Sequence, residues 1–370
     1  MPKEILIGRI ATTEGFKNLR NAWTTLLETS TSNSAFLSWE WLFAWWESFG
    51  ETKSLWLITV QTEGKLIGIA PLMIDKRGTG IFKLRILCNI GNPGANLSIP
   101  STDVGGFIVR DGEKQVVSAI FEYLIEHKRE WDILELSELC QEGRELSEFD
   151  QSFGQRQFEI IKETKKHYHI PLVNDWESFF AKLSGKFRHN LRRASRLANE
   201  KGEVDFGYYF GDDVNWALFE NIIEVNQYSH HPRLYLFTDQ QNFIRKLVQL
   251  MIKQKRLIVY ILSINRKPVA YEYGFINDGR FEDWRAGYDT RINPAISIGK
   301  LLSMKVIENC IINGCTEIDF LRGDESYKTE WQPEHRIFIG TRAFQTRNLP
   351  SMLAYLWLSR IKPFIQRGKQ

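Results

Sequence analysis

Short apolar runs alternate along the chain with amphipathic stretches, and the two periods separate strands from helices. Ile5–Ile10 has the length and the β-branched content of a strand. Helices are predicted near Phe16–Glu28 and over the aromatic-rich stretch Trp39–Phe49. Leu55–Val60 and Leu66–Ile74 flank Glu63-Gly64-Lys65, a pattern that predicts a β-hairpin with a short turn. A helix over Glu113–Lys128 and a buried strand at Trp131–Leu136 follow.

The polar, charge-rich segment Lys162–His169, ending at Ile170-Pro171, is the expected boundary between two halves. Beyond it the same grammar returns. Asn174-Asp175 can cap a helix running to Leu183, Ser184-Gly185 interrupts it, and Lys186–Lys201 continues as a basic helix. Thr238-x-x-Gln241 has the form of a capping box ahead of Phe243, Leu247, Leu250 and Met251. Leu257–Ile264 and Val269–Phe275 form a second hairpin around Asn265-Arg266-Lys267. Asn277-Asp278-Gly279 then turns the chain into a third strand, Arg280–Tyr288. A helix from Ile298 to Ile312 stops at Asn313-Gly314, and Thr316–Leu321 is the next strand. Strand, helix and strand with short links make a βαβ unit, so the two strands should lie parallel.

The predicted class is therefore α/β, with mixed twisted sheets flanked by helices. Gly64-Lys65-Leu66-Ile67-Gly68 and Arg266-Lys267-Pro268-Val269-Ala270 hold the same place in hairpins about 200 residues apart, and Trp131–Leu136 corresponds to Thr316–Leu321. This order points to an internal duplication. The expected parts are residues 1–165, residues 170–346, and a basic amphipathic tail over residues 347–370.

Composition agrees with two ordinary cores: 370 residues, 43% hydrophobic and 25% charged, with 12 Trp and 24 Phe. A formal net charge of +3 creates no global field that demands nucleic acid, and DNA is not an expected partner. Cys88, Cys140, Cys310 and Cys315 form no CxxC pair, so they read as reduced thiols and no metal is expected. The start Met1-Pro2-Lys3-Glu4 lacks a signal-peptide core, and no stretch approaches the ~18 apolar residues of a membrane span, so a cytoplasmic protein is expected. Met352–Leu358 is apolar and is followed by Arg360, Lys362, Arg367 and Lys369. Such a segment either docks on its own domain or lies peripherally on an anionic membrane.

Three stretches can carry chemistry. Pro294-Ala295-Ile296-Ser297-Ile298-Gly299-Lys300 precedes the long helix. Ser297 is a suitable N-cap, Gly299 lets a group approach the backbone, and Lys300 adds charge, so a pyrophosphate or simply a capped helix fits there. Asp319-Phe320-Leu321-Arg322-Gly323-Asp324-Glu325-Ser326-Tyr327-Lys328-Thr329-Glu330-Trp331 places charges among aromatics directly after a buried strand. Asp319 in such a strand needs a partner, for which Arg322 or Lys328 is available; a salt-bridged loop is the simpler alternative. Lys328 could stabilise an oxyanion or hold a substrate phosphate, and Tyr327 could donate to a leaving thiolate. Finally, Arg188, Arg192 and Arg196 recur four apart beside Lys186 and Arg193. Nucleic acid, anionic lipid headgroups, a nucleotide-linked donor and a solvated helix face are all compatible with that stripe.

Taken in order from about Asp175 to Trp331, these motifs resemble the bacterial GNAT-type acetyltransferases associated with cellulose and exopolysaccharide biosynthesis. The resemblance implies tandem GNAT-like domains, acetyl-CoA or another acyl-CoA as co-substrate, and an amine or hydroxyl acceptor on a sugar or cell-envelope precursor. In the related Fem-type transferases a Lys in an aromatic-Lys-x-x-aromatic context serves the substrate phosphate or the transition state, and Lys328 matches it. The expected catalytic residues are Lys328, by the resemblance, with Tyr327, Asp324 and Asp283, and the expected donor contacts are Ser297, Ile298, Gly299 and Lys300. Substrate contacts fall to Arg188, Arg192, Asp319, Arg322 and Trp331. On that reading, Lys328→Ala removes turnover with little loss of folding. The chain departs from the family in having Ser297-Ile298-Gly299 for Ser-Pro-Gly and in lacking the strict Arg/Gln-x-x-Gly-x-Gly/Ala loop. Aminoacyl-tRNA as donor, or a non-catalytic accessory role in polysaccharide synthesis, are the alternatives.

His230-His231-Pro232 reads as a loop or substrate-edge element, because adjacent histidines diverge on regular elements. Glu272, Glu282 and Asp283 are candidate bases; strand alternation allows only one of the neighbours 282 and 283 to face a given site.

Overall fold

The computed structural model describes residues 4–78, 83–94, 96, 99–154, 158–232, 235 and 237–361. In chain order the elements begin β1 (Leu6–Ile10), α1 (Thr13–Asn18), α2 (Arg20–Glu28), α3 (Trp39–Phe49), β2 (Ser54–Thr62) and β3 (Lys65–Arg77). They continue as β4 (Leu84–Asn89), β5 (Ile108–Val109), α4 (Val116–Glu126), β6 (Ile133–Cys140), α5 (Arg144–Gly154) and β7 (Phe158–Pro171). Next come α6 (Trp176–Lys182), α7 (Gly185–Asn199), β8 (Val204–Phe210), α8 (Trp216–Asn226), α9 (Thr238–Lys253) and β9 (Leu257–Ile264). The last are β10 (Lys267–Asn277), β11 (Arg280–Tyr288), α10 (Ile298–Ile312), β12 (Glu317–Arg322), α11 (Ser326–Glu330), β13 (Glu334–Gln345) and α12 (Leu349–Leu356).

Two compact units result: Met1–Lys165 with Ile337–Gln370, and Lys166–Arg336. In the first, strands run β1-β2-β3-β4-β6-β13, and β5 pairs β3. Helices α4 and α5 cover one face through Val116, Ile120, Phe121, Leu124, Phe149 and Phe153. A separate aromatic group, in which Phe16 meets Trp23, Trp39 and Phe43, packs α1, α2 and α3 together. In the second unit the order is β7-β12-β11-β10-β9-β8, and α10 lays Leu301, Leu302, Val306 and Ile307 into the core with Phe187 and Leu191 of α7.

The turn chemistry explains the hairpins. Asn265-Arg266 and Asp278-Gly279 both adopt left-handed backbone, with φ of 51° and 63° and of 47° and 74°, the geometry that matches strand twist. Asn265 tolerates it because its Oδ1 accepts from the Glu203 amide at 3.0 Å. The expected βαβ unit is present: β11 and β12 are parallel, and the first unit repeats this with β4, α4 and β6. Asp175 and Ser184 cap α6 and α7, accepting from the Ser178 and Phe187 amides at 2.8 and 3.2 Å, each cap contributing about 1 kcal/mol.

Two expected caps differ. Thr238 is the first helical residue of α9 rather than its cap, and Gln241 donates to the Tyr235 carbonyl at 2.8 Å. Ser297 sits in left-handed backbone (φ 50°, ψ 52°) and makes no side-chain cap bond, because the short turn Pro294–Ile296 before it is held by Asn293 instead. All four cysteines are free thiols. Among the described residues no helix is long and apolar enough to cross a membrane, and no group of three or more His, Cys, Asp or Glu could hold a metal ion. Lys362, Arg367 and Lys369 lie outside the described residues.

Candidate active site

The hairpin β10–β11 brings two carboxylates together. Asp283 pairs with Gly274 across the ladder, and Glu272 lies two residues along from Gly274. Gly274 is required there: a Cβ would fall 2.0 Å from the Glu282 carbonyl oxygen. Phe281, two residues before Asp283, lies in the core with α10, so Asp283 projects on the same side. Glu272 also faces α10, where Ser303 Oγ donates to its Oε2 at 3.2 Å. Glu282 takes the opposite face, 3.6 Å from the Arg280 guanidinium.

Asp283 Oδ1 is sealed from solvent without a hydrogen-bond partner. Burial pushes its carboxyl up, the Lys328 ammonium pulls it back, and the Asp319 and Glu325 carboxylates raise it again, leaving it at about 7. Burial and the charge of Asp283 push Glu272 well above the usual carboxylate range, against the Ser303 hydrogen bond. At neutral pH Asp283 therefore straddles its own midpoint, and Glu272 holds its proton to higher pH than an ordinary carboxyl. Burial, with Asp283, Glu272 and Glu325 nearby, also raises the Tyr327 phenol, which stays protonated.

Lys328 lies beneath this pair, only 3% exposed. Its Nζ donates to the carbonyls of Phe320, Arg322 and Gly323 at 3.0, 2.9 and 3.4 Å and pairs with Glu325 at 2.9 Å. It thus ties the end of β12 to α11. Three carbonyls and a carboxylate occupy the three protons of the ammonium, so Lys328→Ala must cost folding as well as any chemistry. One residue before the end of β12, Leu321 lies at φ 56°, a left-handed residue held by its amide donating to Asp319 Oδ1 at 2.8 Å. Asp319 finds its cation in Arg336, at 3.8 Å, and not in Arg322 or Lys328. Arg336 also grips Glu317 at 2.6 and 2.7 Å.

The structure therefore assembles Glu272, Tyr327 and Lys328 around Asp283. Other expected residues lie elsewhere. Asp324 and Arg322 are exposed at the end of β12, and Trp331 is instead buried, packed edge-on against Phe187 with centroids 4.8 Å apart. At the start of α10, Ile298 is buried, and a Cβ on Gly299 would meet the Tyr288 ring at 3.0 Å. Tyr288 is itself held by His230, whose Nε2 lies 3.0 Å from its hydroxyl. Lys300 pairs with Glu330. At the first turn of α10 Ser297, Gly299 and Lys300 thus remain partly exposed, with the Tyr288 ring close beside Gly299.

The arginine stripe on α7 divides into three environments. Arg188 is half-buried with Nε sealed and unpartnered, Arg192 lies 5.2 Å over the Phe180 ring, and Arg196 bonds the exposed Glu200 at 3.0 Å. Gly274, Ser303, Tyr288 and Arg336 were not singled out from the sequence. Of these only Gly274, a lone glycine between Tyr273 and Phe275 in a strand, left a readable signal of close approach.

In the first unit the corresponding register positions are Asn89 for Asp283 and Ala70 for Glu272. Asn89 Oδ1 is spent on the Ser137 amide at 3.0 Å. No carboxylate pair exists at these positions, so the chemistry of this constellation belongs to the second unit.

Residues 185–329 match the family described as acetyltransferase (GNAT) domain. No curated protein matches the chain. Among solved structures the chain is similar to FemX, with TM-score 0.61 and 9% identity over 93% of this chain and 98% of that one. It is similar also to L-PGS from Bacillus licheniformis, with TM-score 0.55 and 12% identity over 92% and 95% of the two chains. A conserved protein of unknown function from Bacteroides thetaiotaomicron gives 0.51 and 15% over 92% and 100%. At these identities the likeness to solved structures is one of fold, and the stretch that matches the acetyltransferase (GNAT) domain lies within the second unit.

Proposed function

We propose that the second unit transfers an acyl group, most simply acetyl from acetyl-CoA, to an amine or hydroxyl on a sugar or cell-envelope precursor, with Asp283 as general base. The observation that carries this is the sealed, unpartnered Oδ1 of a carboxyl poised near pH 7 on the strand leading to the long helix. The acceptor's N–H or O–H gives its proton to Asp283. The new bond to the acyl carbon forms as the bond to the donor sulfur breaks, and the proton passes to the leaving thiolate or to water as the cycle closes. Burial and the Asp319 and Glu325 carboxylates keep Asp283 from ionising early, Tyr327 donates a hydrogen bond toward the leaving atom, and Lys328 holds the β12–α11 corner in place. When bound, acyl-CoA supplies the activated thioester.

A second reading keeps the fold and the base but takes aminoacyl-tRNA as donor. The unpartnered Arg188 Nε on the basic face of α7 favours it, because tRNA needs phosphate contacts. Calorimetric titration with acetyl-CoA, CoA and charged tRNA separates the two. Saturable CoA binding lost in Gly299→Glu supports the first reading, and charged-tRNA binding lost in Arg188→Ala supports the second. Binding of neither donor would overturn both.

A further inference from the structure

Helix α12 and the π-helical turn Trp357–Ile361 that continues it have two unlike faces. One is seated on the first unit. Ser351 is fully buried with Oγ donating to the Asp132 carbonyl at 3.0 Å, and Tyr355 packs on Phe344 with centroids 5.6 Å apart. The other carries Leu349, Leu353, Leu356, Trp357 and Ile361, from 37% exposed at Leu356 to 71% at Leu349. Residues three and four apart share one side of an α-helix, and the wider π turn slows the rotation so that Ile361 rejoins that side. Five of the nine large exposed hydrophobics among the described residues fall in this one segment, so the stripe is not the usual scatter of surface leucines.

The charge pattern identifies what covers it. From Arg347 to Gln370 the sequence holds Arg347, Arg360, Lys362, Arg367 and Lys369 and no Asp or Glu, although the whole chain is nearly balanced at 48 Lys and Arg against 45 Asp and Glu. An apolar stripe bearing an indole, in a segment whose own charges are all cations, matches the two layers of an anionic bilayer surface. A second copy on the same stripe would bring like charges together across a two-fold axis.

We propose that α12 and its π turn form a membrane-surface docking site. The segment lies in the plane of an anionic leaflet, with Leu349, Leu353, Leu356, Trp357 and Ile361 at the acyl boundary and Arg347 and Arg360 at lipid phosphates. The first unit then acts as a reversible anchor for an enzyme whose chemistry is in the second. This inference does not depend on which acyl donor is used.

The test is vesicle flotation of the full chain with phosphatidylcholine alone and with phosphatidylcholine containing phosphatidylglycerol. Wild type is expected to float with the anionic vesicles. Leu353→Glu/Trp357→Glu should weaken binding at least ~10-fold, as should raised salt, because apolar insertion and charge act together. Both side chains are exposed, so an unchanged melting curve verifies the fold of the variant. Wild type remaining unbound, or floating equally with neutral vesicles, would overturn the proposal, and so would equal binding by the variant. A dimer in light scattering that the same variant makes monomeric would also overturn it, by giving the stripe to a second copy.

Discussion

Replacing Asp283 by Asn should stabilise the second unit while removing its activity. Asp283 releases its proton near 3.8 in the unfolded chain but near 7 when folded. Between those values the native state binds more protons, so stability falls as pH rises, and the full penalty is present above about pH 7. A gap of about three pH units at about 1.4 kcal/mol each sets a ceiling of about 4 kcal/mol. The residue is half-buried, and Asn brings an N–H₂ that also needs partners, so about 2 kcal/mol is the reasonable expectation. The groups facing position 283 are Glu272 of β10, Asp319 of β12, and Glu325, Tyr327 and Lys328 around α11. Of these Lys328 keeps Glu325 and three carbonyls in the variant. Calorimetric melting should show the variant and wild type close together below about pH 4 and the variant higher by roughly 4–8 °C at pH 8. Turnover should fall by about 10²–10⁴. A variant that is no more stable than wild type at pH 8, with a difference that does not change with pH, would refute the argument: Asp283 would then be an ordinary ionised carboxylate.

Lys328→Ala should destabilise by about 3 kcal/mol or more, because three buried carbonyls and Glu325 lose their cation; denaturant melts would detect it, and a variant with wild-type stability but no turnover would restore a purely chemical role. Gly274→Ala should cost several kcal/mol or fail to accumulate, since the new methyl would fall 2.0 Å from the Glu282 carbonyl oxygen; an unchanged melting temperature would exclude that close approach. In the first unit, Glu135 accepts from Arg342, Arg77 and Asn92 and is held down at about 2 by the two guanidiniums despite its burial. Its contribution is complete above pH ~4.5 and is lost as pH falls toward 2. Glu135→Gln should therefore lower stability at pH 7 by about 3 kcal/mol and flatten the acid limb of the stability profile, which melts from pH 2 to 7 would measure.

The hairpins and the parallel βαβ pair were legible because Asn-Arg and Asp-Gly turns and strand–helix periods are local properties. Alternation also predicted that Glu282 and Asp283 part company. What escaped depends on tertiary neighbours. A lysine in a charged run looks solvated, and only the fold of β12 onto α11 shows Lys328 as a buried clamp. Ser297 reads as a cap from its type, but the left-handed backbone turns its side chain away from that role. Asp319 has a cation 17 residues later, in Arg336, whereas sequence proximity points to Arg322 and Lys328. The pairing of β13 with β6 is equally invisible, since an alternating strand carries no label for its partner.

That last pairing has a consequence for biosynthesis. The second unit is inserted between β7 and β13 of the chain, so β6 stays an open sheet edge, and Glu135 lacks Arg342, until residues 338–344 leave the ribosome. Domains ordinarily fold in the order in which they are made. Here the unit whose synthesis starts first completes its sheet last, after the second unit has been translated in full. During that interval the unpaired edge is the part of the nascent chain most exposed to wrong strand pairing.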